Sequence, residues 1–260
     1  MSQALYIDFH THLSTPGPEP SGEELAKAER LAQTYGIVKI VLLGNVTAQG
    51  GPNPTTADIK DLNTQTLAVM DKLPQLFTGF CYLNPSHPEE FNIAEIERCV
   101  VTGGMKGIKL WIAVKATDAR LDHIMARAAE IGVPVLHHAW YKQTSYSYQE
   151  SNPAEIAHLA RRWPQVTLVT AHLSGCRERG ITDIAELPNV YIDTSGSQPD
   201  AGMVEYAVKR LGAERILYGS DWCLRDFGVQ LGRVQGASLS EAERNLILYG
   251  NAKRLLQLDE

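Results

Sequence analysis

The segment Tyr6-Ile7-Asp8-Phe9-His10-Thr11-His12-Leu13 is an apolar run that carries two histidines at alternate positions. Side chains along an extended strand point alternately to opposite faces, so His10 and His12 should face one point together with Asp8. Neutral imidazole is the commonest protein ligand for transition metals. A loop rich in proline and glycine follows, which places the pair at the carboxyl end of a strand, where α/β proteins carry their chemistry. A His-x-His pair alone is also common on surfaces and in hydrogen-bonded cores, so the interpretation depends on the other strand ends.

Outward from this segment, short apolar runs alternate with helical patterns along the chain. Further strands are predicted at 37–43, 76–81, 107–110, 133–137, 166–171, 190–193 and 216–218. Helices are predicted from a capping box at Ser21 and Glu24 to about 35, at 58–73, 89–101, 118–131, 153–163, 181–186 and 203–211, and from Ser240 to 256 with a break near Gly250. Eight strand–helix units in 260 residues average about 32 residues each, which suits a (β/α)8 barrel of typically ~250 residues.

The sequence therefore predicts an α/β protein that folds as a single-domain (β/α)8 TIM barrel over residues 1–260. A doubly wound open sheet is the alternative. It is disfavoured because no Gly-x-Gly-x-x-Gly turn follows the first strand, and because polar residues recur at too many strand ends.

Composition excludes several classes of function. The net charge is −6 and no cluster of lysine and arginine is present, so nucleic acid is not an expected partner. No apolar run is long enough to span a bilayer and no leader pattern precedes the first strand, so we expect a cytoplasmic protein with no membrane partner. The four cysteines are widely spaced, which argues against a disulfide framework and against a zinc ribbon.

Polar side chains mark the ends of several other predicted strands. Lys109 lies in strand 4, His137 and His138 end strand 5, His172 ends strand 6, and Asp221 follows strand 8. In a closed barrel all these ends meet at one mouth. Imidazole nitrogens and a carboxylate form a donor set for one or two divalent ions, with zinc as the expected metal and manganese, nickel or iron as alternatives.

Five segments together resemble the amidohydrolase superfamily, in particular its amidohydrolase-related branch. They are Asp-Phe-His-Thr-His at 8–12, Pro-Val-Leu-His-His-Ala at 134–139, Ala-His-Leu-Ser-Gly at 171–175, Tyr-Gly-Ser-Asp-Trp at 218–222 and Tyr-Gly-Asn-Ala-Lys-Arg-Leu-Leu at 249–256. The resemblance covers essentially the whole length and implies the same barrel fold. The branch also contains decarboxylases that do not hydrolyse their substrates, so membership does not fix the reaction.

The resemblance also implies a ligand set. His10, His12 and the strand 5 histidine would hold a divalent metal, and Asp221 would serve as a ligand and proton acceptor. The strand 5 ligand would be His138, because the family pattern is histidine followed by a small residue, here Ala139; strand alternation alone does not choose between the two histidines.

His172 and Lys109 extend this set. His172 is a further ligand candidate and the reserve proton acceptor. Lys109 is similar to the strand 4 lysine of dihydroorotase-like members, where a carboxylated lysine bridges two metals. Its alternative role is to pair with a carboxylate or with an anionic substrate, and both roles stay open.

Substrate contacts are expected from loops at the same mouth. The loop after strand 5 begins Trp140-Tyr141-Lys142 and stays rich in tyrosine to residue 148, so it suits a small polar or ring-bearing substrate. The same aromatic run could instead form a contact within a homo-oligomer. Arg177 and Arg225 are candidates for binding a carboxylate, since guanidinium binds it through two hydrogen bonds, although surface salt bridges would also explain them.

These residues predict a metal-dependent hydrolase of a small-molecule ester, lactone or amide. The metal would activate a water molecule, and Asp221 would act as the general base. One alternative is a metal-dependent decarboxylase of an aromatic or unsaturated carboxylic acid. A non-catalytic barrel that binds a metal or ligand is a third option, disfavoured because a scaffold would not need the aspartate.

Overall fold

The framework of the protein is a ring of eight parallel strands, each hydrogen-bonded to the next in chain order. The computed structural model describes residues 5–44, 49–141, 150–196, 198 and 200–258. The strands are β1 (Tyr6–Thr11), β2 (Ile37–Leu42), β3 (Phe77–Leu83), β4 (Gly107–Leu110), β5 (Val135–His137), β6 (Leu168–Thr170), β7 (Val190–Asp193) and β8 (Ile216–Leu217).

Hydrogen bonds between β1 and the chain around the end of β8 close the ring. The amide of Phe9 donates to the carbonyl of Tyr218 at 2.9 Å, and the amide of Asp221 donates to the carbonyl of His10 at 2.7 Å. Thr11 and Trp222 also form a parallel bridge. The predicted (β/α)8 barrel is therefore confirmed, and the open-sheet alternative is wrong.

Helices connect the strands on the outside. They are α1 (Gly22–Tyr35), α2 (Thr56–Lys72), α3 (Glu89–Ile96), α4 (Asp122–Ile131), α5 (Pro153–Arg162), α6 (Leu173–Ile184), α7 (Met203–Leu211), α8 (Phe227–Gln235), α9 (Glu241–Asn245) and α10 (Asn251–Leu255). A π-helical turn at 97–102 prolongs α3, and another at 246–250 joins α9 to α10. The expected cap at Ser21 accepts a hydrogen bond from the amide of Glu24, but the Glu24 carboxylate binds the loop at Ser14 and Thr15 instead of closing a capping box.

The helical predictions fail at two places. The helix predicted at 181–186 begins at Leu173 and is interrupted at Arg177, whose φ is 49°. Helix α8 was not predicted, because Gly228 and Gly232 lower its helical propensity. A Cβ on Gly228 would lie 2.7 Å from the hydroxyl oxygen of Tyr35, so glycine is required for the close approach of α8 to α1.

Apolar side chains fill the interior of the barrel below its mouth. Phe9, Phe80, Leu136 and Leu217 belong to one buried cluster there. Lys109 is aligned with Leu136 across β4 and β5, and paired residues of neighbouring strands point to the same face. Lys109 therefore also points into the barrel.

All four cysteines are free thiols. Among the helices that the structure describes, none is long and apolar enough to cross a membrane.

Candidate metal centre

The two histidines of β1 converge, as predicted. Both are buried, and their Nε2 atoms lie 3.3 Å apart. Strict alternation along β1 is broken by one extra residue, because Asp8 aligns with Ile40 but Thr11 aligns with Leu42. Such a bulge redirects side chains, and bulges are frequent beside active sites.

Strand alternation placed Asp8 beside the two histidines, but its side chain binds backbone amides. Its Oδ1 atom accepts hydrogen bonds from the amides of His10 at 3.1 Å and Ser220 at 3.0 Å. The carboxylate therefore joins β1 to the turn that follows β8.

Asp221 completes a first group of donors. Its Oδ1 atom lies 3.7 Å from Nε2 of His10 and 3.6 Å from Nε2 of His12. A second group, which shares His10, adds His172 and Asp193. Asp221 and His172 adopt left-handed backbone angles, with φ of 64° and 73°. Such angles are uncommon outside glycine, and they concentrate at functional sites.

The two histidines at the end of β5 have different environments. Nδ1 of His138 lies 3.0 Å from Nε2 of His172, so this ring belongs to the cluster. Nδ1 of His137 donates to the carbonyl of His138 at 2.7 Å. The structure thus brings His138 to the other histidines, the position that the family resemblance implied.

Each imidazole of the cluster is held through its outer nitrogen by an oxygen atom. The pairs are His10 Nδ1 with Asp193 Oδ2 at 2.7 Å, His12 Nδ1 with the Gly44 carbonyl at 2.7 Å, His172 Nδ1 with Ser195 Oγ at 2.8 Å, and His138 Nε2 with Glu150 Oε1 at 2.6 Å. Carboxylates and carbonyls only accept, and the Ser195 hydroxyl donates to Asp193, so each outer nitrogen carries the proton. The inner nitrogens are left with lone pairs, as metal ligation requires.

These outer partners were missed by the sequence analysis. Asp193 could have been found, because it is an acidic residue at the carboxyl end of a barrel strand. Ser195, Glu150 and the carbonyl of Gly44 carry no local signal, since their role depends on contacts between distant parts of the chain.

Burial sets the protonation of the cluster. It lowers the pKa of His12 to about 3 and holds the pKa values of His10 and His172 well below their ordinary value. These rings are therefore neutral at pH 7. Burial also raises the pKa of Asp221 to about 7, and the negative charge of Asp193 acts in the same direction.

Lys109 is a buried cation inside the mouth. Burial lowers its pKa to about 8, and the carboxylates of Asp193 and Asp221 oppose that shift. Its position on the inner face of β4 is compatible with both roles predicted for it.

The indole ring of Trp140 lies beside two of the histidines. Its ring centroid lies 6.5 Å from that of His138, with an angle of 17° between the planes, and 5.3 Å from that of His172. A Cβ on Gly175 would lie 2.3 Å from the indole, so the ring occupies space that only glycine leaves open.

Tyr141 is attached to α6. Its hydroxyl donates to Asp183 at 2.5 Å, and the guanidinium of Arg179 lies 4.3 Å from its ring centroid. Lys142, the third substrate-binding candidate in this loop, lies outside the described residues together with 143–149.

The two predicted arginines make other contacts. Arg177 donates to Gln198 at 3.1 Å and lies 3.8 Å from a carboxylate oxygen of Asp200. Arg225 donates to the carbonyl of Leu224 and lines a cavity of about 320 Å³ with α8. Neither contact places the guanidinium among the metal-site donors, so binding of a substrate carboxylate stays a prediction for both.

The place of Trp140 gives a testable prediction. We expect Gly175→Ala to displace the indole and to raise KM severalfold, because the added methyl group would overlap the ring. Steady-state kinetics and tryptophan fluorescence measure the two effects. Gly232→Ala is the matched control, since nothing lies within 4 Å of its Cβ position. Equal behaviour of both variants would show that Trp140 does not shape the site.

A closed (β/α)8 barrel with imidazole and carboxylate donors at its strand ends defines a class of metal-dependent enzymes. The chain belongs to the amidohydrolase family, whose model matches residues 7–258. The gamma-resorcylate decarboxylase of Polaromonas sp. (strain JS666 / ATCC BAA-500) is 22% identical over 286 aligned residues, which cover 88% of this chain and 86% of that protein.

Solved structures share the fold at lower identity. The 2,6-dihydroxybenzoate decarboxylase from Rhizobium superposes with a TM-score of 0.79 at 18% identity, covering 99% of this chain and 100% of that one. A dihydroxybenzoic acid decarboxylase from Polaromonas sp. JS666, with bound manganese and the inhibitor 2-nitroresorcinol, gives a TM-score of 0.75 at 18% identity, covering 99% and 98%.

Proposed function

We propose that this protein is a metal-dependent decarboxylase of a small aromatic or unsaturated carboxylic acid. The observation that carries the proposal is the buried donor group of His10, His12 and Asp221, whose nitrogen and oxygen atoms lie within 3.7 Å of one another. His138 lies beside this group through its contact with His172, and the histidine lone pairs face inward. The similar proteins named above support the reaction type, since all three are decarboxylases of hydroxylated benzoic acids. Trp140 adds a flat apolar surface suited to a ring.

The donor set fits a divalent cation. Imidazole and carboxylate suit zinc, manganese, nickel and iron; zinc remains our expectation, and manganese gains support from the similar decarboxylase that contains it. A cation bound there would supply a Lewis acid that anchors the substrate carboxylate. We assign its ligands to His10, His12, His138 and Asp221, with His172 as a further ligand candidate.

Side chains of the protein would carry out the proton transfer and would bind the substrate. In decarboxylation the carbon–carbon bond breaks, CO2 leaves, and the electron pair on the substrate carbon takes up a proton. Asp221 and His172 are the candidates to transfer that proton, because both are buried at the mouth. Each presents an unprotonated atom to the site when a cation is bound, so it would first take up a proton from water and then pass it to the substrate carbon. Lys109 would pair with an anionic oxygen of the substrate, or bridge two cations if it is carboxylated.

Hydrolysis of an ester, lactone or amide, which the sequence alone favoured, is the second candidate. It is supported by the place of Asp221, whose carboxylate lies within 3.7 Å of ring nitrogens of both β1 histidines. A carboxylate in that position can accept a proton from a water molecule bound between them.

The two reactions are distinguished by their products. Metal-loaded protein would be incubated with dihydroxybenzoates labelled with ¹³C in the carboxyl group, and separately with a panel of lactones and esters. Decarboxylation predicts labelled CO2, together with deuterium on the product carbon when the reaction runs in D2O. Lactone or ester cleavage without CO2 release would favour hydrolysis, and metal binding without turnover of any compound would favour the non-catalytic barrel.

The raised pKa of Asp221 predicts how metal affinity depends on pH. Below about pH 7 its carboxyl group is protonated in the metal-free protein, so a cation has to displace that proton. We expect affinity to fall by up to about tenfold per pH unit below pH 7 and to level off above it. Competition titrations with a chelator at several pH values measure this. Asp221→Asn should lose most of the dependence; an unchanged pH profile in that variant would contradict the assignment.

A further inference from the structure

One of the outer partners of the histidines, Glu150, lies at the end of the connection between β5 and α5 and contacts His138. The Nε2 atom of His138 lies 2.6 Å from Oε1 of Glu150, and the two side chains are only 12% and 10% exposed. A charged carboxylate with so little solvent is costly unless it has a specific partner. The contact is therefore a specific buried interaction of the site and not a chance pair on the surface.

Glu150 reaches this position because its neighbour is firmly held. Ser151 is completely buried and pairs with Ala139 in a parallel bridge. Its carbonyl accepts from the amide of Trp140 at 2.9 Å, and its hydroxyl accepts from the amide of Ala116 at 2.9 Å. These contacts fix the backbone next to Glu150 on the same strand end that carries His138.

The carboxylate determines which nitrogen of His138 is protonated. An ionised carboxylate only accepts, so the proton sits on Nε2 and the lone pair on Nδ1. Nδ1 is the atom that lies 3.0 Å from His172. Without the acceptor, the other tautomer would place a proton where a cation has to bind.

We propose that Glu150 is a positioning residue that holds His138 in the tautomer and orientation required of a metal ligand. The inference rests on the proposed metal site and deepens it, because it makes the end of the β5–α5 connection part of the metal centre. Loss of such an outer partner typically lowers metal affinity by about 10- to 100-fold.

The test compares variants at Glu150 with one at Glu155. Glu150→Ala should bind Zn²⁺ and Mn²⁺ about 10- to 100-fold more weakly, measured by competition with a chelator. Glu150→Gln should lie between this variant and wild type, because its amide oxygen still accepts a hydrogen bond but carries no charge. Glu155→Ala is the control from the same segment: it removes the capping contact to Asn152 and should lower thermal stability without changing affinity.

A second readout does not need the metal. Nitrogen-15 NMR of the histidine rings, assigned with a His138→Gln variant, should show His138 protonated at Nε2 in the wild type and a mixture of tautomers in Glu150→Ala. Wild-type affinity in Glu150→Ala, or an equal loss in Glu150→Ala and Glu155→Ala, would overturn the role of Glu150. If the wild type binds neither ion, the proposed metal site fails, while the NMR comparison still decides whether Glu150 sets the tautomer.

Discussion

Replacing His10 and His12 together with alanine is expected to empty the metal site. Wild-type protein should carry roughly one or two divalent ions per chain, and the double variant should carry almost none after dialysis. The two rings supply adjacent nitrogens 3.3 Å apart, and the donors that remain come from separate strands. Elemental analysis by mass spectrometry measures the metal content, and catalytic activity should disappear with the metal.

The same double variant should also be less stable. Asp193 would lose the hydrogen bond from His10 while staying completely buried, and an unpaired buried acceptor costs about 1–3 kcal/mol. His158→Ala is the control, since His158 is exposed on α5, and it should keep both metal and stability. Full metal occupancy in a folded double variant would show that His10 and His12 are not ligands.

Asp221→Asn is expected to separate turnover from metal binding. The amide keeps the shape and one oxygen donor, so much of the metal should stay bound. The ionisable group is lost, so kcat should fall by about 10²-fold or more. Asparagine also tolerates the left-handed backbone found at this position, where φ is 64°. Any loss of activity can therefore be attributed to the missing carboxyl group and not to backbone strain.

Asp226→Asn provides the matched control in the same loop. Asp226 caps α8 through its side chain, and asparagine is an equally good cap, so wild-type kcat is expected. Near-wild-type turnover of Asp221→Asn, with the metal still bound, would move proton transfer to His172. Rates are to be compared per bound metal ion, so that partial metal loss is not counted as a slower reaction.

The fold could be predicted because it follows from local patterns of apolar and polar residues. Eight apolar runs separated by helical segments determine the barrel. In a barrel the carboxyl ends of all strands lie at one face, independently of the loop sequences. His10, His12 and Asp221 were therefore found together from their places in the sequence alone. The same reasoning placed His172 and Lys109 at the mouth.

What could not be predicted depends on contacts between distant segments. The bulge in β1 is set by pairing with β2. Helix α8 is obscured in the sequence by two glycines, of which Gly228 is explained only by its packing against Tyr35. The outer partners of the histidines arise in the same way. Glu150 meets the His138 ring 12 positions away in the chain and belongs to no motif. Asp193 lies 183 positions from His10, and its only sequence signal is its place at the end of β7.

The closure of the barrel by β1 has a consequence for the newly made chain. His10 and His12 are translated more than two hundred residues before Asp221. On the ribosome, the emerging protein therefore has no complete donor set until β8 and the turn after it have been synthesised and have paired with β1. A cation that binds only the closed barrel would then stabilise a chain that includes this turn, relative to any shorter chain, by the free energy of cation binding.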